Sequence, residues 1–281
     1  LKDKPDALCK QNIFLKERVL SEDGPVYLNL RQEGFLELHN PRFEPAKRVF
    51  SDDSILFVIA RNDEGETLDL TDSVMDSVLN WEKPEGIWTL QVGVRSRNTG
   101  SRRNYINVTQ AESVRVLIDA VYEPHWQHYA ADFGKTIAGF FSDEPELGNS
   151  YTYAKDNPLG TDQDLPWGIS LEEELKSALG ENWRSMLPLL WVDGKDAPQV
   201  RFTYMDLLTK SVRKHFSEQL GDWCRARGVR YIGHVVEENG AHSRLGYGAG
   251  HFFRAIRGLD AAGIDIVDNL MPEQTDGSYT T

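Results

Sequence analysis

Two clusters of acidic residues, each at the end of an apolar segment, are the part of this sequence best suited to do chemistry. The first segment, Thr136 to Phe141, runs into Ser142-Asp143-Glu144-Pro145-Glu146. The second, Val229 to Val236, runs into Glu237-Glu238-Asn239. Cleavage of a glycosidic bond requires one carboxyl group that stays protonated and a second that is ionised. The two clusters therefore predict a pair of catalytic carboxylates.

Glu144 is the candidate general acid of this pair. A carboxyl group at the carboxyl end of a barrel strand can be held partly away from water, and that desolvation raises its pKa. Its neighbours Asp143 and Glu146 are suited to binding sugar hydroxyls or a cation, and Asp143 is taken as a substrate-binding residue. The competing interpretation of the same residues is an ordinary solvated acidic loop.

The second cluster contains two candidates for the partner carboxylate. Side chains alternate along a strand, so His234 and Glu238 share a face if the extended conformation continues, while Glu237 points to the other face. Glu238 is therefore the first candidate for activating water, and Glu237 the second. His234 and Asn239 are candidate substrate-binding residues, although a histidine at such a position is as often a hydrogen-bonded structural residue.

A third segment adds two further candidate substrate-binding residues. Ile264 to Asn269 is predicted as a strand that ends in Asp268 and Asn269, which are equally suited to capping the next helix. Leu245 to Gly250 is glycine-rich but lacks the spacing of a dinucleotide-binding loop, and it is interpreted as a flexible loop beside the site. The spacing of His234 and the glutamates differs from the helical zinc motif, so neither a metal site nor a cofactor is predicted.

The elements that must position these residues alternate from residue 112 onward. The order is helix, strand, long loop, helix, strand, helix, strand, which is typical of βα units around a parallel sheet. Pro124 is expected to end or kink the first helix. The helix before the second acidic cluster is predicted over Phe202 to Arg227. Residues 148–170 are predicted to form a substrate-facing loop that includes Trp167.

The composition limits the partners. A net charge of −13 argues against nucleic acid and anionic membranes, both of which need a basic surface, and is compatible with a neutral carbohydrate. No segment is apolar over the roughly 18 residues of a membrane helix. Leu1 to Asp6 lacks the apolar core of a secretory signal, so the chain is expected to be soluble with its compartment and oligomeric state open. The two cysteines, Cys9 and Cys224, are too few for a disulfide framework.

Four segments resemble (β/α)8 glycoside hydrolases, in particular the large α-L-rhamnosidase-type family. They are Gly139 to Pro145, Tyr231 to Asn239, Gly250 to Arg257 and Gly263 to Ile266. The resemblance implies a barrel with a β-rich insertion before its central strands and Glu144 as the acid. Members of that family are much longer than this chain. Related barrel glycosidases carry asparagine where this chain has Asp143, and they place a nucleophile on a later strand.

The predicted fold is therefore α/β, an incomplete TIM-barrel-type (β/α) catalytic domain with a small antiparallel β insertion. Residues 1–50 are predicted as an N-terminal barrel segment, residues 51–110 as the β-rich insertion and residues 111–281 as the barrel segment with the active site. The predicted function is glycoside hydrolysis, of the α-L-rhamnoside type if the resemblance extends to the sugar. The alternatives are a non-catalytic carbohydrate-binding or scaffold protein derived from a glycosidase barrel, and a metal-dependent hydrolase.

Overall fold

A computed structural model of the protein describes residues 8–37, 52–97, 104–147, 164–235, 245–246 and 248–263. The strands are β1 (Gln11–Leu20), β2 (Gly24–Asn29), β3 (Ser54–Asn62), β4 (Thr67–Asp69), β5 (Val74–Met75), β6 (Val78–Lys83), β7 (Trp88–Ser96), β8 (Gly139–Ser142), β9 (Asp164–Trp167), β10 (Arg230–Gly233) and β11 (Ala261–Ala262). The α-helices are α1 (Ala111–Leu117), α2 (Glu123–Tyr129), α3 (Ile169–Leu179), α4 (Trp183–Met186), α5 (Ala197–Val212), α6 (Gln219–Arg225) and α7 (Phe252–Ala255). Two π-helical segments, Ile118–Tyr122 and Arg213–Glu218, join α1 to α2 and α5 to α6.

Two antiparallel sheets make up most of the described strand structure. One has five strands in the order β4-β3-β7-β1-β9, and the other has three in the order β2-β6-β5. β6 buries every second residue, which is the alternation expected of a strand with one face toward a core. Leu79 and Trp81 of β6 and Val58 and Val92 of the larger sheet belong to one apolar cluster, so the two sheets pack face to face.

A small parallel sheet contains the strands that precede the acidic clusters. Its order is β11-β10-β8. β8 and β10 are in register, with Phe140 opposite Tyr231 and Ser142 opposite Gly233. The two apolar segments are therefore neighbouring parallel strands, and their carboxyl ends meet at the same edge of the sheet.

The helices cover one face of the parallel sheet through a cluster of aromatic rings. Phe140 of β8 stacks on Tyr122 with ring centroids 4.4 Å apart. Trp223 of α6 packs edge-on against both rings, at 5.2 Å from Tyr122 and 5.5 Å from Phe140. On the opposite face Phe141 is 60% exposed. This sheet is thus covered on one side by described elements, unlike a typical parallel sheet with both faces buried.

The prediction of a TIM-barrel-type domain is wrong. A (β/α)8 barrel closes eight parallel strands, whereas the parallel sheet of the described chain has three strands and does not close. Residues expected to begin a barrel form β1 instead, and β1 pairs antiparallel with both β7 and β9. The physical reason for the error is that a short apolar run indicates a buried strand without indicating the direction of its partner.

The helices differ from their predictions at the π-helical segments. Pro124 does not end the helical run from Ala111 to Tyr129; it lies in the first turn of α2, directly after the first π-helical segment. The helix predicted over Phe202 to Arg227 begins earlier, at Ala197, and contains the second π-helical segment. None of the helices in the described ranges combines the length and hydrophobicity that crossing a bilayer requires.

The prediction that Trp167 lies on a substrate-facing loop is also wrong. Trp167 is the last residue of β9 and is fully buried. Its indole Nε1 donates to Glu172 at 3.0 Å, and its carbonyl accepts a hydrogen bond from Asn107 Nδ2 at 2.8 Å. Pro166 made this segment look like a loop in the sequence. Proline is nevertheless compatible with the outer strand of a sheet, and β9 is an outer strand.

Candidate functional site

The loop that follows β8 brings Asp143 and His234 together. His234, directly after β10, places its Nε2 2.9 Å from Asp143 Oδ1. The same carboxylate oxygen accepts the backbone N–H of Glu144 at 3.0 Å. Because His234 is only 9% exposed and lies on the parallel sheet, it gives the exposed Asp143 side chain a fixed partner. Two of the predicted site residues are therefore in direct contact.

The burial of the acidic side chains in this loop differs from the sequence prediction. The side chains of Asp143 and Glu144 are exposed, so the partial desolvation expected of Glu144 is absent from this structure. The buried carboxylate is Glu146, which is 6% exposed and lies 3.7 Å from Nζ of the equally buried Lys10. Nothing in the sequence pointed to this pair, because its two members are separated by most of the antiparallel region.

Tyr231 is a buried residue on the strand next to β8, which leads into the loop. It lies on β10, opposite Phe140, and is almost completely buried. Burial raises the pKa of its phenol, and a hydrogen bond with the Ser142 side chain opposes this rise in part. The phenol is therefore neutral over the physiological pH range.

A cavity of about 530 Å³ lies beside the loop. Asp143 and Glu144 are part of its lining, and the remaining wall is mostly apolar, with five aromatic side chains, namely Tyr105, Tyr122, Phe140, Phe141 and Phe216. Clefts of this size and character, with a few polar groups that converge on an apolar wall, are typical of small-molecule sites. The arrangement can accommodate a sugar whose polar edge meets the carboxylates.

Both π-helical segments reach this cavity. Ile118–Tyr122 contributes Ala120 and Val121 in addition to Tyr122, and Arg213–Glu218 contributes Phe216. Single π-helical turns within α-helices occur frequently at functional sites. The extra residue in each segment changes the direction of the side chains that follow, and a prediction based on a constant 3.6-residue period misses this feature.

The remaining predicted site residues lie outside the described residues. These are Glu237, Glu238, Asn239, Asp268 and Asn269. Their assignment as partner carboxylate or substrate-binding residues stays a prediction. In the described part of the chain, no three His, Cys, Asp or Glu side chains are grouped as ligands of a metal ion would be.

Gly233 allows the close approach of β10 and β8 at the site, and Gly233→Ala is expected to disturb it. A Cβ atom at this position would lie 2.2 Å from the carbonyl oxygen of Ser142, the residue that precedes Asp143. Overpacking against rigid backbone costs about 1–3 kcal/mol of unfolding free energy. We expect a urea unfolding midpoint lowered accordingly, together with loss of the Asp143–His234 contact.

Gly263→Ala is the matched control for this substitution. A Cβ atom there would lie 3.6 Å from the carbonyl oxygen of Gly233, which is an ordinary contact distance. We expect its unfolding midpoint to stay close to that of the wild type. Equal midpoints for the two variants would contradict the steric argument for Gly233.

Comparison with known proteins shows a distant structural likeness to a rhamnosidase. No protein-family model matches the chain, and a comparison with curated proteins finds no match either. The solved structure of a rhamnosidase from Novosphingobium sp. PP1Y is similar over 72% of this chain at 14% sequence identity, with a TM-score of 0.44. The matched region is 19% of that rhamnosidase, so this chain spans about a fifth of its length.

Proposed function

We propose that the protein hydrolyses a glycosidic bond, with Glu144 as the general acid. The observation that supports this best is the in-register parallel pairing of β8 and β10, which brings the loop of Asp143 and Glu144 to the same sheet edge as His234. Catalytic groups of α/β enzymes are found at the carboxyl ends of parallel strands. The finer proposal, an α-L-rhamnoside as substrate, rests on the sequence resemblance alone.

In the proposed reaction, Glu144 gives its proton to the oxygen of the leaving group. Asp143, fixed by His234, accepts hydrogen bonds from sugar hydroxyls. The exposed ring of Phe141 and the ring of Tyr105 offer faces on which the apolar side of a sugar can stack. A second carboxylate then activates water in an inverting reaction or attacks the sugar in a retaining one.

Glu238, with Glu237 as the alternative, is the proposed second carboxylate. Both residues belong to the acidic cluster that directly follows the second apolar segment in the sequence. A carboxyl separation of roughly 6.5–9.5 Å from Glu144 would support inversion, and about 5–5.5 Å would support retention.

The exposure of Glu144 favours a second candidate function, carbohydrate binding without cleavage. General acids of glycosidases are usually kept protonated by an apolar environment, and Glu144 faces water in this structure. A cavity with aromatic walls and two exposed carboxylates is sufficient to bind a sugar. The two functions share the site and differ only in turnover.

A panel of nitrophenyl glycosides that includes α-L-rhamnoside, assayed with the 281-residue chain, separates the two functions. We expect release of nitrophenol from at least one glycoside. Calorimetric titration with the corresponding free sugars is run in parallel. Sugar binding without nitrophenol release would favour the non-catalytic function, whereas absence of both binding and release would exclude the proposed site altogether.

A further inference from the structure

A buried ion pair anchors the end of the loop that carries Glu144. Lys10 is 2% exposed and Glu146 is 6% exposed, and Lys10 Nζ lies 3.7 Å from Glu146 Oε2. Lys10 belongs to the segment just before β1 of the antiparallel sheet, whereas Glu146 follows the parallel sheet. Charged side chains are rarely buried to this degree unless they are paired, so the ion pair helps to fix the position of the end of this loop.

Tyr105 gives the same loop a second connection. Its hydroxyl lies 3.4 Å from the backbone N–H of Glu146, which donates to it. Its carbonyl oxygen accepts the backbone N–H of Lys10 at 2.9 Å. Tyr105 is also part of the cavity wall that Glu144 lines. The ion pair and the cavity are therefore connected through one side chain.

Glu144 lies between two anchored neighbours. Asp143 is held by His234 on the N-terminal side, and Glu146 is held by Lys10 and Tyr105 on the C-terminal side. Pro145, the residue between Glu144 and Glu146, has a fixed φ angle. The backbone of Glu144 is thereby constrained from both directions, while its side chain remains accessible beside the cavity.

We propose that Lys10 and Glu146 are positioning residues that hold Glu144 against the cavity. This inference rests on the proposed function for its catalytic meaning. A purely apolar contact would hold the loop in place without fixing which of its residues makes the contact. An ion pair together with a hydrogen-bonded backbone also fixes which residue of the loop lies at this position. Misplacement of a reacting group by about 1 Å can cost on the order of 100-fold in rate, so the register of this loop matters.

The test compares Glu146→Gln, Lys10→Met and the double variant with the wild type. Each single variant removes this ion pair and is expected to lower both the thermal midpoint and kcat, the latter about 10- to 100-fold with a smaller change in KM. The double variant removes both charges of the pair, so its thermal midpoint should exceed that of either single variant while kcat stays low. Recovery of kcat together with the midpoint would overturn the positioning role.

Asn12→Ala is the control for loss of a nearby buried polar contact. Asn12 lies two residues from Lys10, and its Nδ2 donates at 2.6 Å to the buried Asp164, which belongs to β9 and not to the Glu144 loop. We expect a lower thermal midpoint with kcat unchanged below that midpoint. A loss of kcat equal to that of Glu146→Gln would attribute the effect to general destabilisation and would overturn the inference.

Amide hydrogen exchange of the peptide that contains residues 142–146 tests the anchor without any assay of turnover. Exchange in this peptide is expected to accelerate in Glu146→Gln and in the double variant, but not in Asn12→Ala. Unchanged exchange in the double variant would overturn the inference even if the enzyme is active. If the wild type hydrolyses no glycoside, accelerated exchange in these two variants relative to the wild type would still support the anchor and would contradict only the proposed function.

Discussion

Glu144→Gln is expected to lower kcat for an aryl glycoside by at least about 100-fold, because general acid catalysis contributes about 10²- to 10⁴-fold and the amide cannot supply the proton. The glutamine side chain has nearly the same shape, and Glu144 is exposed in the folded protein. Folding should therefore be unaffected. Steady-state kinetics together with a thermal unfolding curve measure both expectations.

The size of this effect should depend on the leaving group. A leaving group of low pKa needs little protonation, so a dinitrophenyl glycoside should lose much less rate than an unsubstituted phenyl glycoside. Glu64→Gln, at an exposed glutamate in the turn between β3 and β4, makes the same chemical change far from the cavity and should leave kcat unchanged. An equal loss for every leaving group would contradict the role of Glu144 as the acid.

Local sequence was sufficient to predict the pairing at the site. The apolar runs that become β8 and β10 are short, are preceded by helices and are followed by polar residues, and this order predicts neighbouring parallel strands. The contact between Asp143 and His234 follows from that topology, because both residues come directly after strands that end at one edge. The prediction was correct for β8 and β10, whereas the third strand was predicted over Ile264 to Asn269 and β11 is Ala261–Ala262.

Long-range partners account for what the sequence could not predict. β1 pairs with β9, so Phe14 lies opposite Asp164, and no property of either segment identifies the other. The same holds for Lys10 and Glu146, which are buried as an ion pair although they lie far apart in the sequence. The barrel prediction was wrong for this reason: strand direction and closure are decided by pairings that local periodicity does not contain.

Trp223→Ala is expected to lower the free energy of unfolding by about 3–5 kcal/mol, the usual cost of removing a large buried aromatic side chain. Trp223 is 6% exposed, and its ring contacts both members of the stacked Tyr122 and Phe140 pair. Its Nε1 donates to Glu123 at 2.9 Å, and the Arg227 guanidinium lies 4.0 Å from the ring centroid. Urea unfolding followed by circular dichroism measures the loss.

This substitution should also affect the candidate site, because the Trp223 side chain packs α6 against β8. Without its ring, Phe140 loses a contact on the helix-covered face, and the strand that leads to Asp143 and Glu144 loses support. Trp81→Ala removes a similarly buried indole, packed edge-on against Trp88 between the antiparallel sheets, and should destabilise comparably. At temperatures where both variants are fully folded, only Trp223→Ala is expected to lower kcat. Equal activity of the two would mean that the helices stabilise β8 without determining where its loop lies.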